Sequence, residues 1–288
     1  MLLMVGDYGI SRFFTSCQNL LLDIPKAQYC LVGAVYHKIC PKRNSTYMRA
    51  LMAGKFAMMA LEILLLTLSS VSWKFLSHVA LGGTAKPNNG LTPVWEPFLL
   101  LHRGKLIYYY SDQRDKKHGQ KLVHQKTSDM RTWEPIVDDT TWPRYEARPG
   151  MTTIARLPND QWILTYEVCG KGCPVYFRLS NDPTKFNSAP EMILKDQDGN
   201  TPSGSPYVVW TPAGGPKGTI AVSSGGKSEI YLNKNLGVGA WTRVGTSAPG
   251  AYTRSLMVMP DQKTILIVGA GVLNGKNNKV TANTFVIK

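Results

Sequence analysis

The sequence predicts an all-β protein, a β-propeller built from repeated four-stranded antiparallel blades. Three observations carry that expectation. From about residue 71 onward Trp, Gly, Pro and Thr rise, giving the texture of short strands joined by tight turns. Short apolar runs recur at a period of about 55 residues. A polar turn followed by an aromatic residue keeps register with those runs, at spacings of 60, 53 and 55 residues for Trp73, Trp133, Phe186 and Trp241. A parallel β-helix has shorter repeats and a sandwich has none, so this period reads as a blade.

The runs fall in the same order four times. First strands are expected from Glu96, Arg148, Ser205 and Tyr252, and second strands from Lys105, Gln161, Gly218 and Lys263. Between them stand the hairpin turns Arg103-Gly104, Asn159-Asp160, Gly214-Gly215 and Asp261-Gln262. Third strands come next in KLVHQKTS, CPVYFRLS, SEIYLNKN and KVTANTFVI. The turns after them carry Asp or Asn, whose side chains bond nearby backbone N–H groups, while the aromatic packs between blades.

Composition excludes other classes. Of 288 residues 43% are hydrophobic, 10% aromatic and 18% charged, which is neither a disordered chain nor a coiled coil. The formal charge of +14 invites an anionic partner, but the excess is dispersed. Its densest run, Lys116-Lys117-His118 with Lys121, His124 and Lys126, reads as a solvated face, and no nucleic-acid signature accompanies it. No nucleic-acid partner is expected.

Residues 1–70 read differently from 71–288, and the two are taken as separate regions. The first holds Cys17, Cys30 and Cys40 and none of the repeat's landmarks. Its apolar stretch Phe56–Leu68, interrupted by Glu62, is shorter than the roughly 20 residues that span a bilayer. It is expected to be an amphipathic or buried helix, with a displaced secretion signal behind Arg49 and Lys55 as the second reading.

In a propeller the start of strand one and the end of strand two meet at one mouth of the central channel. Those slots bring together Glu96, Arg148, Ser205, Tyr252 and Arg254 with Ser111, Asp112, Glu167 and Ser224. Two carboxylic acids with arginines and a tyrosine form a hydrolase constellation. Glu96 lies in the apolar string Val94-Trp95-Glu96-Pro97-Phe98, which suits a general acid. Glu167 ends an otherwise apolar strand, where a charge needs a partner or a purpose. The plain alternative for each is an ion pair with Arg148 or Arg254. Trp95 and Tyr110 offer sugar-stacking faces, with core packing as the alternative. The histidines show no metal-ligand spacing; Cys169 and Cys173 form a lone CxxxC, read as a local disulfide in a secreted chain rather than half of a metal site.

The turn Ser128-Asp129-Met130-Arg131-Thr132-Trp133 resembles a degenerate Asp-box of sialidase-like propellers, where it is structural. More specifically, residues 94–135 with the WEPF motif, ARPGM at 147–151, ILTYEVCGKGCPVYFRLSNDP at 163–183 and GAYTRSL at 250–256 resemble glycoside hydrolase family 93. The resemblance covers roughly residues 70–288. It implies a six-bladed sialidase-like propeller of secreted fungal exo-arabinanases, which cut α-1,5-linked arabinan from the non-reducing end, release arabinobiose and retain configuration. Carried over residue by residue, it makes Glu96 the acid/base, Glu167 the nucleophile and Tyr252 the tyrosine beside it. The channel-mouth slots add Arg148, Arg254, Trp95, Ser111 and Asp112 as expected substrate contacts, the arginines binding sugar hydroxyls or tuning Glu167. The implied enzyme needs no metal or cofactor, has no membrane span and is a monomer with a polysaccharide substrate.

One departure stands out. Six blades at this period need roughly 330 residues, and residues 71–288 supply four repeats and one outer strand. The expectation is therefore a propeller of four to five blades lacking the family's first blade or blades, whose activity this shortening puts in question. Two further readings stay open: a non-catalytic propeller that binds glycan or protein, and a sialidase, for which Arg148 and Arg254 supply two members of an arginine triad.

Overall fold

The computed structural model describes the backbone of Tyr29–Gly33, Met58–Thr67, Trp73–Thr84, residue 86 and residues 88–288, with side chains from residue 76 onward. The described residues form eighteen strands and one 3-10 turn, Phe186–Ser188. They make five antiparallel sheets, each wound in chain order. Strands β1 (Tyr29–Gly33), β2 (Met58–Thr67) and β3 (Trp73–Thr84) form the first. Four blades of the propeller come after it. Blade one is β4 (Val94–His102), β5 (Lys105–Asp112), β6 (Lys121–Thr127) and β7 (Val137–Thr140). Blade two is β8 (Arg148–Arg156), β9 (Trp162–Cys169), β10 (Val175–Ser180) and β11 (Glu191–Ile193). Blade three is β12 (Tyr207–Thr211), β13 (Thr219–Ser223), β14 (Ile230–Asn233) and β15 (Thr242–Val244). Blade four has three strands, β16 (Arg254–Val258), β17 (Thr264–Gly269) and β18 (Thr281–Val286).

The expected helix at Phe56–Leu68 is not formed: Met58–Thr67 is the central strand of the first sheet, paired with β1 and β3. The run Ile63-Leu64-Leu65-Leu66 is apolar at every position, so it carries no period that separates a buried strand from a buried helix. Partner strands on both edges decide it. The side chains of Cys17, Cys30 and Cys40, and residues 34–57 with Arg49 and Lys55, lie outside the described residues.

Burial tracks the repeat. Each apolar core lies between consecutive sheets: Val79 and Val94 with Tyr108 and Tyr110, then Phe98 and Ile107 with Leu164 and Tyr166, then Ile163 and Phe177 with Val208 and Val222, then Tyr207 and Ala221 with Leu256 and Ile267. The aromatics after the polar turns fill these seams. Trp133 packs against the first core and donates its indole N–H to Ser77 Oγ (3.1 Å), Phe186 lies in the second, and Trp241 meets Phe177 edge-on in the third. The turns are held as their composition predicts. Asp129 Oδ1 accepts the Arg131 and Thr132 N–H groups, and these bonds hold its carboxyl well below the usual carboxylate range. Asn233 Oδ1 likewise accepts the N–H groups of Asn235 and Gly237.

The basic run divides: Lys116 and Lys117 are exposed, as expected of a solvated loop, but the strand residues after them are not a solvated face. His124 is fully buried against Asp139, Lys121 bridges Asp115 and Asp138, and Lys126 pairs with Glu134. Burial pushes the Asp139 carboxyl up to about 6, with His124 pulling the other way. Because this is above the unfolded value of about 3.9, its favourable contribution is full below that value and is lost as pH rises through 6.

Trp241→Ala should cost about 3–5 kcal/mol in urea unfolding by emptying the seam between blades two and three. Asp139→Asn should gain in melting temperature relative to the unaltered protein as pH rises from about 4 to about 7; a constant difference across that range refutes the assignment.

Candidate active site

Two blades carry the same irregularity in their innermost strand. In β4 the register steps from Trp95–Ser111 to Phe98–Tyr109, and in β8 from Gly150–Glu167 to Thr153–Thr165, so two residues oppose one. These are β-bulges, and each carries a non-glycine residue in the left-handed region: Glu96 at φ 60° and Met151 at φ 59°. Ser205, ahead of β12, repeats the conformation at φ 39°. A bulge bends its strand and re-aims the groups beside it, and here it turns a backbone N–H toward the preceding blade.

Those N–H groups meet carboxylates. Met151 N–H donates to Glu96 Oε2 (2.7 Å), and Ser205 N–H donates to Glu167 Oε2. Glu96 Oε2 also accepts the Ser111 hydroxyl (2.6 Å). The residue before each donor is glycine. A Cβ on Gly150 would lie 2.9 Å from Glu96 Oε2 and 2.9 Å from Gln120 Nε2, so any side chain there displaces one of them. Gly150 is also the direct strand partner of Glu167. The Glu96 carboxylate therefore rests on the backbone opposite Glu167, and the two acids share one mouth.

Arg148 completes the cluster. Its charge acts on Glu96, Glu167 and Tyr252, which pull its pKa upward while burial pushes it down from the ordinary value. Its Nη2 donates to Oε1 of Gln113 (3.2 Å) and Gln120 (3.0 Å), and the guanidinium lies 5.6 Å from the centre of the Trp95 ring. Gln120, only 3% exposed, also accepts the Trp95 indole N–H (3.1 Å) and donates to the Pro149 carbonyl (2.7 Å). One buried amide thus sets the arginine and the tryptophan relative to each other.

The chain is similar to solved structures over most of its length. A Penicillium chrysogenum α-L-arabinanase in complex with arabinobiose is 44% identical, with 81% of this chain and 69% of that one covered and a TM-score of 0.78. An α-L-arabinofuranosidase of Fusarium graminearum, in complex with an iminosugar inhibitor, is 43% identical over 90% of this chain and 76% of that one, at a TM-score of 0.80. The GH93 α-L-arabinofuranosidase of Fusarium graminearum in complex with arabinobiose gives 42% identity, 90% and 76% coverage and a TM-score of 0.79. Neither family models nor curated proteins give a match. The chain belongs to glycoside hydrolase family 93.

Within this GH93 chain some expected site residues occupy other roles. Arg254 is fully buried, and its guanidinium donates to the carbonyls of Ser224 (3.1 Å), Ser228 (3.1 Å) and Glu229 (2.6 Å). Burial pushes its pKa down to about 10. It braces the β13–β14 loop and is not placed to touch a sugar. Asp112 is buried too, its carboxylate gripped by Arg114 through Nε (2.9 Å) and Nη2 (2.7 Å). Tyr110 is core, its hydroxyl bonded to Gln125, so it offers no stacking face. Ser111 is buried and serves Glu96 directly; Trp95 stays half-buried beside Arg148. Tyr252 is half-buried within electrostatic reach of Arg148.

Cys169 and Cys173 form the expected disulfide. With Glu167 they are the one group of three potential metal-ligand side chains among the described residues, their donor atoms lying within 4.8 Å of one another. Oxidised sulfur is a poor ligand, so this set is not a metal centre in the disulfide form. Sequence reasoning did not find Gln113, Gln120, Gly150 or the two backbone donors; the glycine before each donor is the signal that points to the donors.

Arg254→Lys should lower the unfolding free energy by about 2–3 kcal/mol, because a lysine leaves buried carbonyls without donors. Arg148→Lys should instead weaken arabinobiose binding in calorimetric titration, and the reverse pattern would overturn both assignments.

Proposed function

We propose that this chain is a retaining, exo-acting glycosidase that cleaves α-1,5-linked arabinan and releases arabinobiose, with Glu96 as acid/base and Glu167 as nucleophile. The observation that carries the reading is the placement of the Glu96 carboxylate over Gly150, the strand partner of Glu167. Retaining enzymes need their carboxyls about 5–5.5 Å apart, and a Glu96 carboxylate seated over the strand partner of Glu167 supports a close pair. The arabinobiose complexes of the Penicillium and Fusarium relatives support the substrate.

Each oxygen's role is set by its hydrogen bonds. Glu96 Oε2 accepts two donors, the Ser111 hydroxyl and the Met151 N–H, which fix the plane of this carboxyl. Glu167 is held by the Ser205 N–H on Oε2, which fixes the plane of the attacking carboxylate. In the first step Glu167 bonds to the anomeric carbon as Glu96 protonates the departing sugar. In the second Glu96 takes a proton from water, which displaces Glu167. Arg148 places one positive charge within electrostatic reach of Glu96, Glu167 and Tyr252. The Cys169–Cys173 disulfide suits an oxidising compartment, which supports a place outside the cell.

Incubation with debranched arabinan should release arabinobiose, with Glu96→Gln and Glu167→Gln each lowering the rate by about 100-fold or more. Well-folded protein that releases none fails the proposal and favours a glycan-binding propeller. Gly150→Ala should also lower kcat by about 100-fold by displacing the Glu96 carboxylate about 1 Å, with binding less affected.

A further inference from the structure

The hairpin after β9 carries chemistry that the proposed reaction does not use. Cys169 Sγ lies 3.4 Å from Glu167 Oε1, while the other oxygen takes the Ser205 N–H. A disulfide sulfur has no hydrogen to give, so this is a packing contact on the carboxylate. The bond to Cys173 closes a five-residue turn through Gly170, Lys171 and Gly172, and both glycines are left-handed. Arg148 is the strand partner of Cys169.

We propose that the Cys169–Cys173 disulfide is a redox latch on Glu167: closed, it seats the carboxylate; opened, its two thiols and Glu167 form a three-donor site for a thiophilic divalent cation. The role of Glu167 as nucleophile rests on the function proposed above, whereas the cation site rests on the donor geometry alone. Opening by a phosphine balances simply. The phosphorus lone pair attacks one sulfur, the S–S bond breaks, and water supplies the oxygen of the phosphine oxide and the two thiol protons. Cys169 then holds an S–H against Glu167 Oε1, hydrogen-bonding the carboxylate that has to attack. Binding of a divalent cation releases both thiol protons and draws the carboxylate oxygen in as third ligand, with water completing a tetrahedral shell.

Cadmium is the probe. Protein reduced with a water-soluble phosphine should bind one Cd2+, read from the thiolate-to-metal charge-transfer band, with two protons released. Oxidised protein and Cys169→Ser/Cys173→Ser should not bind, and Glu167→Gln should bind at least about tenfold more weakly. In the assay, reduction should lower kcat with KM unchanged and reoxidation should restore it; Cd2+ should abolish the remainder in reduced protein alone. Near-ultraviolet circular dichroism identifies folded samples, and the reduction–reoxidation cycle on the unaltered protein needs no variant. Equal Cd2+ affinity in Glu167→Gln, no Cd2+ binding after reduction, or an unchanged kcat after complete reduction each overturn the latch. Cadmium binding as described in a protein that releases no arabinobiose overturns the glycosidase reading and leaves the cation site standing.

Discussion

Two backbone N–H groups, those of Met151 and Ser205, reach back from one blade to the carboxylate of the blade before, and the mouth of the propeller is organised around them. Neither could do so from a regular strand, where successive N–H groups lie in the plane of their own sheet. A left-handed residue, inside the β8 bulge at Met151 and ahead of β12 at Ser205, frees the donor and points it across the seam. A non-glycine residue held there costs about 1–3 kcal/mol, and a hydrogen bond to a charged acceptor returns about 1.5–3 kcal/mol. The two nearly cancel, so the bond does not by itself stabilise the bulge. The ladders β4–β5 and β8–β9 on either side of it hold the geometry, and the carboxylates are aligned by a rigid frame.

This division explains why the glycines precede the donors. Gly150 and Gly204 stand where a Cβ would approach a carboxylate oxygen, at 2.9 Å from Glu96 and 3.8 Å from Glu167. At Gly150 the space is needed outright. At Gly204 a φ of 83° adds a conformational reason of its own. Glu96 stands at the bulge of blade one, where blade two has Met151 and blade three Ser205. The same backbone feature presents a side chain in the first blade and an N–H in the next two.

Much of this was legible in the sequence, for a physical reason. A propeller buries its blades against one another, so apolar runs, turn residues and seam aromatics must keep one period, and Trp133, Phe186 and Trp241 do. The slots of Glu96 and Glu167 follow from that period and from strand direction. What the period does not encode is how a buried polar group is satisfied. Arg254 and Arg148 fill like positions by sequence, yet Arg254 is consumed by three carbonyls of the β13–β14 loop. Asp112 was illegible in the same way, because its partner Arg114 lies two residues on in a loop. The strand at Met58–Thr67 was missed because its run Ile63-Leu64-Leu65-Leu66 is apolar at every position and has no period to read. Gln120 carries no signal of its own; only the fold brings it to Trp95, Arg148 and Pro149.

The mouth that results is asymmetric, and the asymmetry runs along the chain. Blades one and two give the carboxylates, blades two and three the N–H groups that hold them, and blade two the shared arginine. Blade four breaks the pattern: no left-handed residue opens β16, and its inner strand begins with the buried Arg254 beside Tyr252. With its arginine turned outward to the loop of blade three, blade four brings to the site a phenol and no charge. The negative charge of the two acids is therefore balanced by Arg148 and by backbone dipoles. The Glu167 carboxylate takes the Ser205 N–H, feels the Arg148 charge and packs against the sulfur of Cys169, so a change at the sulfur is felt at the carboxylate itself.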